Sequence, residues 1–276
     1  MTKMAVELKG ENRIKAFRRI AKGLASKISN CEGVTGIAFI GGLVRGFADK
    51  YSDIDIVVLL AGRDEGLRKQ LYELASNGAK RYSVDIDMEV HFLEDFRKRN
   101  WDEIDRWEFA KAKIVYDPEG TLKETLSEKL RLPKSFWTSR VVVYAEYLKW
   151  YCCPPRENVG TIAESWVERG DLQSAHYCLN YSVDLMLKML FALNREHLPA
   201  AKWRLFYSRN LKWLPKDYES LVEDAMRIKS YSLGDFKLRL QALRKIWNNI
   251  RSKIKAETGL TVDQVSRYYV KKILRV

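Results

Sequence analysis

Gly36-Ile37-Ala38-Phe39-Ile40-Gly41-Gly42, followed ten residues later by Ser52-Asp53-Ile54-Asp55-Ile56-Val57-Val58-Leu59-Leu60, is the stretch that decides how the chain is read. Two apolar runs rich in β-branched residues predict two strands. A glycine pair closes the first, and Asp53 and Asp55 open the second. At i and i+2 on a strand, both carboxylates point to one face, roughly 7 Å apart. An apolar strand that begins with two acids on one face calls for a cation or hydrogen-bond donors to meet them.

Outward from this stretch, residues 11–29 place Ile14, Phe17, Ala21, Leu24 and Ile28 at helical spacing. Residues 34–40 and 53–60 read as strands. Residues 43–47 between them read as a short helix whose free N–H groups follow the glycines. Residues 65–76 predict a helix that Asn77-Gly78 closes. Residues 82–93 alternate strictly, with Val84, Ile86, Met88, Val90 and Phe92 on one face and Asp85, Asp87, Glu89 and His91 on the other. This is the period of a long strand, and a solvated sheet face would explain its acids as simply as a binding face. Residues 94–110 read as mostly helical, and 113–116 as a short strand before a turn. Beyond that the alternation stops. Helices are expected at 121–130, 134–151, 156–168, 171–194, 216–231, 235–258 and 261–273. The change of pattern divides the chain into domains at 1–119 and 120–276.

The 276 residues are 46% hydrophobic and 31% charged, the composition of a soluble globular chain with a sizeable core. A net charge of +13 suits a polyanionic partner, or simply a well-solvated surface. Cys31, Cys152, Cys153 and Cys178 contain no Cys-x-x-Cys pair, so reduced thiols are expected rather than a zinc site or a disulfide framework. The first 19 residues lack an apolar signal core, and the most apolar segment, 183–193, is too short to span a bilayer. A cytoplasmic protein with no membrane association is expected.

Nucleotidyl transfer needs a triphosphate approached by backbone N–H groups and carboxylates that gather divalent cations. Glycines allow that approach, and Mg²⁺ accepts carboxylate, phosphate and water oxygens. The order strand, Gly-Gly, short helix, then a strand bearing Asp-x-Asp is far more specific than either motif alone. On these residues the chain resembles the nucleotidyltransferases of the DNA polymerase β superfamily. It is most similar to stand-alone bacterial and archaeal members, including the aminoglycoside and lincosamide adenylyltransferases. The resemblance covers roughly residues 34–93. Ser52-Asp53-Ile54-Asp55 matches the family motif throughout, and Gly41 matches its first glycine. Gly42 stands where many small-molecule adenylyltransferases carry serine, so a hydroxyl contact to phosphate is missing. The resemblance implies a third carboxylate on a neighbouring strand. Glu89 is the first choice, Asp87 the alternative, and Asp85 a third contender. In the antibiotic adenylyltransferases that acid can act as general base on the acceptor hydroxyl.

Three further patterns lie in the helical half. Residues 193–203 look like the helical domain of stand-alone nucleotidyltransferases, which would turn Lys202 towards the nucleotide phosphates. A corner with Trp203 in the core and Lys202 solvated is the plainer reading. Residues 236–256 form a basic amphipathic helix with Lys237, Arg239, Arg244, Lys245, Arg251, Lys253 and Lys255 and no acid. A solvated face is the plainer explanation, an RNA-tracking surface the functional one. Arg169 and His176, with six residues between them, resemble the signature of a helical RNase family but are better read as coincidence.

The resemblance thus implies an α+β fold, a nucleotidyltransferase mixed sheet with flanking helices, followed by an α-helical bundle, with the site in the cleft between the domains. The expected enzyme is an Mg²⁺-dependent nucleotidyltransferase. It would move a nucleoside monophosphate, AMP from ATP or another nucleoside triphosphate, onto an acceptor hydroxyl and release pyrophosphate. Asp53, Asp55 and Glu89 would be catalytic and hold two Mg²⁺ ions, and Gly41, Gly42, Ser52 and Lys202 would contact the nucleotide. The acceptor is a small hydroxylated molecule or RNA. The competing readings are an RNA-directed transferase and a non-catalytic, antitoxin-like nucleotide- or RNA-binding module.

Overall fold

The strand Ile54–Leu60 (β2) has side chains that are almost wholly buried on both faces, with Asp55 as its polar exception. The computed structural model describes residues 8–154 and 159–274. β2 lies inside a four-stranded sheet ordered β3-β2-β1-β4, where β1 is Val34–Phe39, β3 is Ile86–Phe92 and β4 is Lys113–Tyr116. β1 runs antiparallel to both β2 and β4, whereas β3 runs parallel to β2. The sheet is therefore mixed, as expected from the sequence.

Each face of the sheet carries its own core. On one, Ile37, Phe39, Ile54, Ile56, Val58, Met88 and Val90 pack against α1 (Ile14–Ile28) and α3 (Glu65–Tyr82). On the other, Ala38, Ile40, Val57 and Leu59 meet Phe96, Trp101, Phe109, Leu122 and Leu126. Those partners come from α4 (Leu93–Lys98), α5 (Glu103–Phe109) and α6 (Thr121–Leu130), with Trp101 between the first two helices. Trp101, stacked on Phe109 at 4.6 Å between ring centroids, fills the break in the helix expected over 94–110. The short helix α2 (Gly41–Arg45) takes in the glycines themselves rather than following them.

Helix α3 runs through Asn77-Gly78 and ends only at Tyr82. Gly78 is a packing position, not a stop. A β-carbon there would fall 2.9 Å from Ile86 Cδ1 and 3.4 Å from Leu24 Cδ2, so the missing side chain lets α3 settle between β3 and α1. The strand expected from residue 82 accordingly shortens to Ile86–Phe92.

Contacts divide the chain into one compact unit reaching Arg131 and another beginning at Leu132. The second is a helical bundle: α7 (Lys134–Tyr151), α8 (Ile162–Glu168), α9 (Leu172–Asn194), α10 (Ala201–Ser208), α11 (Tyr218–Met226), α12 (Leu233–Thr258) and α13 (Val262–Tyr268), continued as a π-helix over Tyr269–Leu274. Its core joins α7, α9 and α12 through residues such as Leu148, Leu179, Leu190, Leu243 and Ile250. The helix expected from residue 156 begins at Ile162, where Thr161 and Glu164 form a capping box. The start of that expectation, residues 156–158, lies outside the described residues. α10 escapes the sequence reading because its buried positions are Arg204 and Ser208, not an apolar stripe. The four cysteines are free thiols. Among the described residues no helix is long and apolar enough to cross a membrane.

Candidate active site

Asp55 projects from β2 directly over the α-carbon of Gly41. A β-carbon on residue 41 would lie 1.7 Å from Asp55 Oδ2, and the backbone there has φ +59°. Only glycine satisfies both the space and the left-handed conformation. At Gly42 a β-carbon would sit 3.1 Å from the Phe47 carbonyl oxygen, a tight contact that a side chain could take only if that carbonyl gave way.

Residues 41–52 are held in place from several sides. Ile40 N–H donates to the Asp55 carbonyl (3.3 Å), and Gly46 N–H donates to the Gly42 carbonyl (3.2 Å). Arg18 of α1 donates twice to the Leu43 carbonyl, at 2.9 and 2.7 Å. Asn12 donates to the Gly46 carbonyl and accepts from Ala48 N–H. Ser52 is engaged in the turn before β2. Its hydroxyl donates to Asp49 Oδ1 (3.1 Å) and accepts from Asp49 N–H (3.0 Å), so it fixes the approach to Asp53.

The parallel register sets the order of the acids on β3. Asp87 stands opposite Asp55, and Glu89 stands opposite the buried Val57. Asp85 precedes the strand, where its carbonyl accepts from Ile54 N–H at 2.9 Å. Glu89 is turned to His91, whose Nε2 donates to Oε2 at 2.8 Å.

Electrostatics divide the acids in the same way. Burial, then the charges of Asp53, Glu108 and Asp87, push the Asp55 carboxyl up to about 7, while Arg45 opposes them. Burial, then Glu89 and Asp53, raise Asp87 above the usual carboxylate range. Glu89 is held below it, mainly by the His91 hydrogen bond, with help from the charges of His91 and Arg99. Asp53, Asp55 and Asp87 therefore repel one another across one corner of the sheet, a corner that favours a cation.

The sequence reading missed Arg45 and Glu108. Arg45, at the last turn of α2 and with a side chain only 10% exposed, lies 3.6 Å over the Trp107 ring and 3.6 Å from Glu108. Its place one turn after the glycines was the available signal. Lys202 stands exposed on α10 of the helical unit. The buried cation of that helix is Arg204, which pairs with Asp184 and donates to the Pro199 carbonyl. Arg169 lies over the Trp166 ring, while His176 is buried and accepts from Arg239 through Nδ1 at 2.9 Å.

Among the described residues no group of three or more His, Cys, Asp or Glu forms a ready-made metal cage. The donor set still fits Mg²⁺. That ion binds through one or two carboxylates and completes its octahedron with water and phosphate oxygens.

A family model described as a nucleotidyltransferase domain matches residues 17–124. No curated protein matches the chain. Among solved structures, a nucleotidyltransferase-like protein from Exiguobacterium sibiricum is 10% identical, with 87% of this chain and 77% of that one covered and a TM-score of 0.44. A structure described as a tri-AMPylated Shewanella oneidensis HEPN toxin in complex with MNT antitoxin is 17% identical, covers 48% of this chain and 97% of its own, and has a TM-score of 0.31. A nucleotidyltransferase domain thus spans residues 17–124, and the sheet, the glycine pair and Asp53, Asp55 and Asp87 all lie within it.

Proposed function

We propose that the protein transfers a nucleoside monophosphate, AMP from ATP, to an acceptor hydroxyl and releases pyrophosphate. The observation that carries this reading is the Asp55 carboxylate seated on Gly41 with Asp53 and Asp87 beside it. Gly42, half-buried and without a side chain at the start of α2, would let a triphosphate approach the backbone. Asp53 and Asp55 would hold Mg²⁺, which supplies charge neutralisation for the triphosphate and the departing pyrophosphate. The acceptor oxygen attacks the α-phosphorus, the bond from that phosphorus to the bridging oxygen breaks, and pyrophosphate leaves.

Asp87 is the third acid in this reading, in preference to Glu89. It lies opposite Asp55 in the register, and burial with the charges of Glu89 and Asp53 raises its carboxyl, which favours it over Glu89 as acceptor of the hydroxyl proton. Glu89, ionised against His91, positions the end of β3. Arg45 balances part of the acidic charge from α2.

The test is incubation with labelled nucleoside triphosphates, Mg²⁺ and pooled acceptors (small polyols, RNA and protein), with mass analysis of the products. Asp53→Ala and Asp55→Ala are expected to abolish transfer while far-UV circular dichroism stays native. Transfer retained in both variants would end the proposal.

A further inference from the structure

The chain's positive charge is unevenly distributed. Residues 6–131 hold 23 Lys and Arg against 22 Asp and Glu, whereas residues 132–276 hold 25 against 14. The nucleotidyltransferase unit is therefore close to neutral, and the helical unit carries nearly all of the net charge.

Within that unit the basic residues of α12 separate into two groups. Three are engaged. Arg239 is buried and donates to the Ala225 carbonyl at 2.7 Å. Arg244 donates to the Cys152 carbonyl and to Glu164, both at 2.9 Å. Lys253 pairs with Glu257 at 3.0 Å. The other four, Lys237, Lys245, Arg251 and Lys255, are exposed and have no acidic partner among the described residues. At about 100° per residue, Lys237 and Lys255 share one azimuth, and Lys245 and Arg251 fall within about 80° of it. The four thus form one stripe, roughly 27 Å long at ~1.5 Å per residue. The exposed residues between them are Leu238, Gln241, Asn248, Asn249 and Ser252; Gln241, Asn248 and Ser252 fall within about 60° of the Lys237 azimuth, while Asn249 donates to the Lys216 carbonyl. No acid interrupts residues 236–256.

We infer that this face of α12 binds an RNA strand. A helix face of uncompensated cations, about 120° wide, can follow a phosphate backbone and gain affinity by releasing condensed counterions. The interleaved amide and hydroxyl groups match the 2′-hydroxyl, which both donates and accepts. Tyr231, 55% exposed just before the Ser232 cap of α12, offers a ring on which a base can stack at the end of the row. The surface belongs to the helical unit and the acids to the other unit, so RNA binding here stands whether or not the proposed transfer reaction is correct.

The experiment measures binding of a fluorescein-labelled single-stranded RNA to the full chain by anisotropy across a salt series. The comparison protein carries Lys237→Gln, Lys245→Gln, Arg251→Gln and Lys255→Gln together. A control carries Lys22→Gln, Lys69→Gln and Lys80→Gln, exposed positions of the nucleotidyltransferase unit. Losing four phosphate contacts should flatten the slope of log affinity against log salt by about 3, at ~0.7 per single-strand contact. The control should match the parent, and a DNA strand of the same sequence should bind more weakly than RNA. Helical circular dichroism of the fourfold variant should be unchanged, because all four side chains face solvent. The inference is overturned by equal weakening in the control, by no RNA binding at 50 mM salt, by DNA binding as tightly as RNA, or by anionic vesicles binding the same face in preference to RNA.

Discussion

The Asp55 carboxylate fills the space that a β-carbon on residue 41 would need, with 1.7 Å between that position and Oδ2. Glycine and acid, fourteen positions apart in sequence, are thus a single steric unit. Gly41→Ala should displace Asp55 and strain a left-handed backbone, costing about 1–2 kcal/mol from conformation alone. Nucleotidyl transfer should fall by at least a hundredfold. Gly42→Ala meets only the Phe47 carbonyl at 3.1 Å and should lose far less. Steady-state kinetics and thermal melts of the two variants check the contrast.

The raised Asp55 carboxyl gives the metal-free protein a defined pH response. An unfolded aspartate ionises near 3.8, whereas the folded one does so at about 7. Its neutral form is favoured on folding, so that contribution is complete below about 4 and lost as pH rises through 7. Asp55→Asn should therefore melt higher than the parent at pH 8, by an equivalent of about 2–4 kcal/mol, and alike at pH 4. A divalent cation binding there must displace the proton, so its affinity should rise with pH up to about 7 and then level off. Melts at the two pH values and calorimetric metal titrations across the range decide the matter.

Register separates Asp87 from Glu89. Asp87→Asn should reduce transfer by two orders of magnitude or more, in keeping with the loss of a general base. Glu89→Gln, which keeps a partner for His91, should retain activity within about tenfold, or ~1.4 kcal/mol. A reversal of the two effects would return Glu89 to the third position.

The helical unit has an independent weak point at Arg239. Its buried guanidinium is satisfied by the Ala225 carbonyl, by His176 Nδ1 and by the His176 carbonyl at 3.3 Å. Arg239→Ala leaves those acceptors unpaired and should destabilise the bundle by about 3 kcal/mol, at ~1–3 kcal/mol per orphaned group after relaxation. His176→Ala should give a similar loss. If the double variant costs no more than either single change, the two residues act as one network. Urea unfolding monitored at the tryptophans measures the cycle.

Much of the fold could be read from period alone. β1, β2, β4, α6 and α7 were expected within a residue or two of where they lie, because each strand carries an apolar run and Pro or Gly stands near the ends of the helices. What sequence spacing could not reveal depends on partners distant in the chain. Gly78 reads as a helix stop until Ile86 and Leu24 are seen pressed against it. α10 carries no apolar stripe because its buried positions are an arginine and a serine. Asp53 and Asp55 were legible because they break an apolar run. The order of Asp85, Asp87 and Glu89 was not, since all three share one face and only the pairing with β2 tells them apart. Arg45 was overlooked because its importance lies in Trp107 and Glu108, some sixty residues away.

The parallel pairing of β2 with β3 also determines where the chain tolerates change in length. α3 and its flanking loops join the two strands outside the ladder, so residues can be added there while Asp55 and Asp87 stay side by side. Within β3 the opposite holds. Deleting or inserting one residue ahead of Asp87 would present Ile86 or Met88 to Asp55 and turn the acids towards the apolar layer under α1 and α3. Length variation among sequences of this kind should therefore collect in the α3 connection and be absent from the seven residues of β3.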